Sequence, residues 1–113
     1  MSWNVVYYKT NSGRVPVIEY IETQKPERIK KIGNALKLLR EFGIEESLLN
    51  ARKLKGKNYK GLCELKIDNS RIIYFLFTGK MFVLVHGFSK KTLKTPIREL
   101  EVAKKRMKDY IGG

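Results

Sequence analysis

Residues 62–88 read Leu62-Cys63-Glu64-Leu65-Lys66-Ile67, Asp68-Asn69-Ser70, Arg71-Ile72-Ile73-Tyr74-Phe75-Leu76-Phe77, Thr78-Gly79-Lys80 and Met81-Phe82-Val83-Leu84-Val85-His86-Gly87-Phe88. The first run alternates, with Cys63, Leu65 and Ile67 on one side of a strand and Glu64 and Lys66 on the other. Side chains of a strand point alternately to its two faces, so the Glu64/Lys66 side faces solvent or a ligand. The second run is apolar on both faces, as a central strand should be. Two short clusters of turn formers separate the runs. Together they predict a three-stranded antiparallel meander. Alternation through the last run groups His86 with Phe82, Leu84 and Phe88.

Upstream, Trp3-Asn4-Val5-Val6-Tyr7-Tyr8 is β-branched and aromatic and stops at Thr10-Asn11-Ser12-Gly13, which predicts a first strand and a turn. Pro16 then suits the first turn of a short helix carrying Val17, Ile18 and Ile21, and Lys25-Pro26 ends it. From Pro26 the residues Ile29, Ile32, Leu36, Leu39 and Phe42 recur at helical spacing up to Gly43, a suitable C-cap. Residues 44–60 lose periodicity and are expected to form an exposed basic loop. After the meander, Thr95 and Pro96 open a last helix whose buried edge is Leu100, Ala103, Met107 and Tyr110. Glu99 and Glu101 come early in it and Lys104, Lys105, Arg106 and Lys108 late, in keeping with the helix dipole. The expected fold is α+β: an N-terminal strand, two helices on one side of an antiparallel sheet, the meander completing that sheet, and a C-terminal helix. Residues 1–113 are expected to make a single domain.

Composition narrows the function. The chain of 113 residues is 42% hydrophobic, too much for a disordered chain, and has no apolar run near the eighteen or so residues of a membrane span. No basic segment followed by an apolar stretch marks Met1-Ser2-Trp3-Asn4 for export, so a cytoplasmic location is expected. Cys63 is the only cysteine and His86 the only histidine, which leaves no disulfide and no plausible zinc set; the expected chemistry uses neither metal nor cofactor. The net charge is +13, unevenly placed. Residues 1–50 hold eight Lys/Arg against six Asp/Glu, whereas residues 51–113 hold sixteen against five. Such asymmetry suits a polyanion-binding surface better than a merely solubilising one.

The order strand, helix, helix, meander in a small basic chain resembles the RelE/ParE superfamily of toxins. The sharper resemblance is to its phage-derived HigB-like branch. It lies in Lys53-Leu54-Lys55-Gly56, Leu62-Cys63-Glu64-Leu65-Lys66, Arg71-Ile72-Ile73-Tyr74-Phe75 and Gly87-Phe88-Ser89-Lys90-Lys91-Thr92. It continues through Lys94-Thr95-Pro96 and the Glu99, Glu101, Ala103, Arg106 register of the last helix. The resemblance implies a type II toxin–antitoxin toxin, a RelE-like fold, and ribosome-dependent endoribonuclease activity on mRNA. The implied partners are the ribosome, mRNA and a cognate HigA-like antitoxin with a helix-turn-helix domain, and no membrane.

The resemblance also implies site residues. Glu64 and Lys66 match catalytic positions on the outward strand face, Arg71 a residue contacting the scissile phosphate, and Lys90 or Lys91 a cation holding the transition state. His86 matches a place where some relatives keep an acid or base, and a packed histidine is an equal reading. RNA carries its own nucleophile in the 2′-OH, so a base, an acid and charge stabilisation suffice without a metal. Glu64 is either the base or the group that orients Arg71 or Lys66, because cations around a carboxylate weaken it as a base. Arg52, Lys53, Lys55, Lys57, Lys60, Lys90 and Lys94 are expected to bind RNA phosphates. The branch usually has Tyr-Glu-Leu-Arg where this chain has Cys63-Glu64-Leu65-Lys66, and the position of a base-stacking tyrosine falls near Ile97. Cys63, on the core side, suits a small buried residue. Two alternatives stay open: a ParE-like gyrase inhibitor on the same fold, and a non-catalytic phage or mobile-element protein that binds nucleic acid or protein.

Overall fold

A computed structural model describes residues 2–43, 45 and 50–112. Among these residues the elements are β1 (Asn4–Tyr7), α1 (Pro16–Glu22), α2 (Pro26–Phe42), β2 (Ala51–Lys53), β3 (Leu62–Ile67), β4 (Ser70–Thr78), β5 (Met81–Ser89) and α3 (Ile97–Gly112), with a 3₁₀ turn at Lys57–Tyr59. The strands form one sheet in the order β1-β5-β4-β3-β2. The predicted meander is present as β3, β4 and β5. Two features of the sheet differ from expectation. β1 runs parallel to β5, with Val5 beside Phe82 and Tyr7 beside Leu84, so the sheet is mixed. A parallel neighbour needs a long crossover, and α1 and α2 supply it. The stretch expected as a loop contributes β2, which pairs antiparallel with β3 as the far edge strand. A three-residue strand of Ala, Arg and Lys has no hydrophobic alternation to betray it, and charged residues suit an unpaired edge. Of that expected loop, residues 44 and 46–49 lie outside the described residues.

Both helices of the crossover begin with proline at the first helical turn, where its missing N–H costs nothing. α2 ends at Gly43, whose φ of 55° is unfavourable for other residues and whose N–H bonds to the Leu39 carbonyl. An added Cβ at Gly43 would lie 2.3 Å from the Trp3 ring, so this C-cap also admits the N-terminal chain. Val17, Ile32, Leu36 and Leu39 press onto Leu65, Ile67, Ile72, Tyr74, Phe82 and Leu84 on one sheet face. Ile29 is the one member of the expected stripe that turns outward.

The opposite face carries a second apolar cluster, which corrects the picture of a helix merely closing the end of the chain. Ala103, with Leu100, Met107 and Tyr110 beside it, covers Leu62, Ile73, Phe75, Val83, Val85 and Phe88. This is the expected buried edge of α3. It also explains why β4 is apolar on both faces: the strand lies in the middle of three layers.

Alternation along β5 breaks once. Ile73 pairs with His86 but Tyr74 pairs with Leu84, so Val85 is an extra residue, a β-bulge. Phe82 and Leu84 therefore face α1 and α2, while His86 and Phe88 face α3, contrary to the grouping expected from strict alternation. Among the described residues no helix is long and apolar enough to cross a membrane.

Candidate functional site

α3 covers only part of its sheet face. Beyond it, Arg52, Glu64, Lys66, Arg71, Lys90 and Leu93 line an open hollow of about 320 Å³, together with Asn50 and Ala51. Strand pairing makes this cluster. Arg52 lies opposite Glu64 across β2 and β3, and Lys66 lies opposite Arg71 across β3 and β4, so all four side chains share one face. Lys90 reaches the same place from the end of β5, where its N–H donates to the Asn69 carbonyl at 2.6 Å.

Glu64 is the organising group. It is only 3% exposed, and both its oxygens are engaged. Oε1 accepts from the Arg52 guanidinium at 3.2 Å and lies 3.8 Å from Arg71 Nε. Oε2 accepts from the Thr95 hydroxyl at 2.9 Å. A buried charge requires such partners. Arg71 is nearly as buried, and its Nη1 donates to the carbonyls of Asp68 at 2.7 Å and Ser70 at 3.0 Å. The guanidinium is thus held from three sides while it lines the hollow. Glu64 offsets only one of the four cations Arg52, Lys66, Arg71 and Lys90, so the lining keeps a net positive charge and the hollow suits an anion rather than a metal cation.

The other expected site residues divide. Lys91 is exposed on the chain leaving β5 and does not line the hollow. His86 is apart from it, under α3 and stacked on Phe88. Arg106 donates to its Nδ1 at 3.1 Å, so Nε2 carries the proton and donates to Glu99 at 2.7 Å. Burial lowers the His86 pKa, Glu99 opposes this and the Arg106 charge adds to it. The ring is a neutral bridge between β5 and α3. Lys55 and Lys94 border a groove of about 240 Å³ that shares Arg52 and Leu93 with the hollow. Lys53, Lys57 and Lys60 surround another depression of about 330 Å³ next to half-buried Cys63, which also packs against the core on the α1/α2 side. Ile97 is 70% exposed.

Sequence reasoning missed Thr95 as a partner of Glu64 and treated Arg52 as a surface cation only. A threonine before a helix reads as a cap, and a bond spanning 31 residues leaves no local signal. The Glu99–His86–Arg106 bridge left a weak one, two opposite charges seven residues apart on one helix face.

The described residues make a small basic α+β fold, with three α-helices, a five-stranded mixed sheet and a cationic hollow on its partly covered face. The chain belongs to the family described as Phage derived protein Gp49-like, whose model matches residues 19–108. No curated protein matches the sequence. The fold is similar to that of a chain in the archaeal RelE-RelB complex from Pyrococcus horikoshii OT3, with a TM-score of 0.59 and 13% identity, covering 80% of this chain and 97% of that one. It is also similar to a chain in the RelB-RelE antitoxin-toxin complex from Methanococcus jannaschii, with a TM-score of 0.50 and 13% identity over 64% of this chain and 81% of that one. At such identity the likeness is one of fold.

Proposed function

We propose that this protein is the toxin of a type II toxin–antitoxin pair, of the HigB-like branch, and that it cleaves mRNA on the ribosome. The observation that carries the reading is the hollow in which Arg71, Lys66 and Lys90 converge around a buried carboxylate. Membership of a phage-derived family and a fold shared with chains of RelE-RelB complexes support it. In this reading the RNA 2′-hydroxyl attacks the adjacent phosphorus as water in the open hollow takes its proton, the bond to the 5′-oxygen breaks as water returns a proton to that oxygen, and a cyclic phosphate and a 5′-hydroxyl remain. Negative charge gathers on the phosphoryl oxygens in the transition state, where fixed cations stabilise it most. Arg71 and Lys66 supply that charge, with Lys90 beside them. Glu64, whose oxygens already accept from Arg52 and Thr95, orients Arg71 rather than taking the proton. The lysines around Lys53, Lys55, Lys57, Lys60 and Lys94 hold the RNA backbone. His86 ties α3 to the sheet. The partner is a HigA-like antitoxin with a helix-turn-helix domain, and the site of action is the cytoplasm.

The test is expression of the chain in bacteria with mapping of mRNA 5′ ends, beside the Arg71→Ala variant and with or without co-expression of the cognate antitoxin. New 5′ ends within translated mRNAs, absent from the variant and suppressed by the antitoxin, are expected. Intact mRNAs with growth arrest and damaged DNA would replace the reading with gyrase inhibition.

A further inference from the structure

Two cations of the hollow, Arg71 and Lys90, hang from one turn. Between β3 and β4, the Asp68 carbonyl accepts from the Arg71 guanidinium at 2.7 Å, and the Asn69 carbonyl accepts from the Lys90 N–H at 2.6 Å. Asp68 holds a φ of 52°, a conformation that Asp and Asn tolerate better than other side chains and that needs support from its surroundings. The support comes from α2, on the other side of the sheet. Lys31 Nζ lies 2.9 Å and Arg28 Nε 3.6 Å from the Asp68 carboxylate. The Arg28 Nη1 also donates to the Asn69 side-chain oxygen and, at 2.9 Å, to the Ser70 hydroxyl. Ser70 is fully buried, and its hydroxyl shares a further hydrogen bond of 2.6 Å with the Tyr20 hydroxyl, which in turn binds Ser89 at 2.8 Å. Every residue of the turn is thus gripped from α1 or α2 while its carbonyls aim the cations on the opposite face.

We propose that Arg28 and Lys31, acting through Asp68 and the turn at residues 68–70, are positioning residues for the cationic hollow. The proposal rests on the nuclease reading for its catalytic consequence but not for its structural one. Neither side chain lines the hollow, so neither touches the RNA phosphate placed there. Their loss acts on geometry: the Asp68 carbonyl is freed to rotate, the Arg71 fork loses its second anchor and Lys90 loses its backbone tie. A reacting group displaced by about 1 Å can cost about a hundredfold in rate without weakening binding.

Two measurements on the full chain test this. The first is single-turnover cleavage of ribosome-bound mRNA by the wild type, the Arg28→Ala/Lys31→Ala double variant and the charge-preserving Lys31→Arg variant. The double variant is expected to lose about tenfold to a hundredfold in maximal rate, with the protein concentration for half-maximal rate changed less than about twofold, and Lys31→Arg to retain the wild-type rate. The second is hydrogen exchange of the Lys90 backbone N–H, bound to the Asn69 carbonyl of the turn, followed by NMR, which needs no cleavage activity. It should quicken at least about tenfold in the double variant, and remain slow in Leu39→Val, a core variant used as a control of similar stability. Exchange at the wild-type rate in the double variant, equal quickening in the control, or an unchanged cleavage rate would each overturn the proposal. A wild type that cuts no RNA would overturn the nuclease reading instead, and the exchange measurement would still decide the clamp.

Discussion

The Thr95 hydroxyl donates to Glu64 Oε2 at 2.9 Å, joining the chain that enters α3 to a carboxylate on β3. Glu64 Oε1 faces Arg52 and Arg71 at the same time, so this one side chain connects β2, β3, β4 and the approach to α3.

Removing that carboxylate should cost more than removing any surface charge. Glu64→Ala leaves the buried Arg71 guanidinium without its counter-charge, and breaking such a pair costs about 3 kcal/mol. Thermal unfolding should show a fall in Tm on the order of 10 °C. Glu64→Gln keeps an acceptor for Thr95 and should cost roughly half as much. If cleavage falls in step with the distortion, being smaller in Gln than in Ala, Glu64 orients; equal abolition by both with the fold intact would make it the base.

Lys66 is exposed and Lys90 half-buried at the edge of the hollow. Lys66→Ala should leave stability within about 0.5 kcal/mol of wild type, while slowing cleavage by about tenfold or more. Replacing Lys53, Lys55, Lys57 and Lys60 together by alanine should also spare Tm but weaken RNA affinity. Every lysine–phosphate pair removed flattens the slope of log affinity against log salt by about 0.7. A salt slope unchanged in the fourfold variant would show those lysines to be merely solvated.

His86 supplies a pH dependence with a definite sign. Its folded pKa is depressed, chiefly by burial, so below the ordinary value of about 6.5 the unfolded chain takes up a proton that the folded chain refuses. Stability is therefore complete above that pH and declines as pH falls toward the folded pKa, by up to about 1.4 kcal/mol per pH unit. Urea unfolding between pH 7 and 5 should show this decline, and His86→Gln, which does not titrate, should lack it. Asp68 and Glu19, whose carboxyls are lowered by Lys31 and Arg14, lose their contributions at more acidic pH still. A decline of equal size in His86→Gln would assign it elsewhere.

Gly87 sits opposite Ile72 on the face packed by α1. A Cβ there would come within 2.7 Å of the Tyr20 ring and 3.2 Å of Ile72 Cδ1. Gly87→Ala should cost about 1–3 kcal/mol by overpacking, and should shift the Tyr20 hydroxyl off Ser70 and Ser89. Unchanged Tm with an unshifted Tyr20 resonance would show that the helix accommodates the methyl group.

The amino-acid sequence by itself determined β1, the three meander strands and the helices, and the apolar edge each of them buries. Alternation in residues 62–67, the doubly apolar run at residues 71–77 and helical spacing from Ile32 to Leu39 are local consequences of which faces must leave water. It also placed Glu64, Lys66 and Arg71 on one face, because strand parity and the short turn between them allow little else. What only the tertiary structure decided depends on contacts between distant segments. These are the parallel seat of β1 beside β5, the edge strand β2 without hydrophobic alternation, and the covering of the second face by α3. The Val85 bulge reversed the side on which His86 lies, since one inserted residue inverts parity beyond it. The partners that hold Glu64 and Arg71 belong to the same group. Thr95, Arg52 and the carbonyls of the Asp68 turn meet them through chain geometry, and a hydrogen bond across tens of residues leaves no periodic trace.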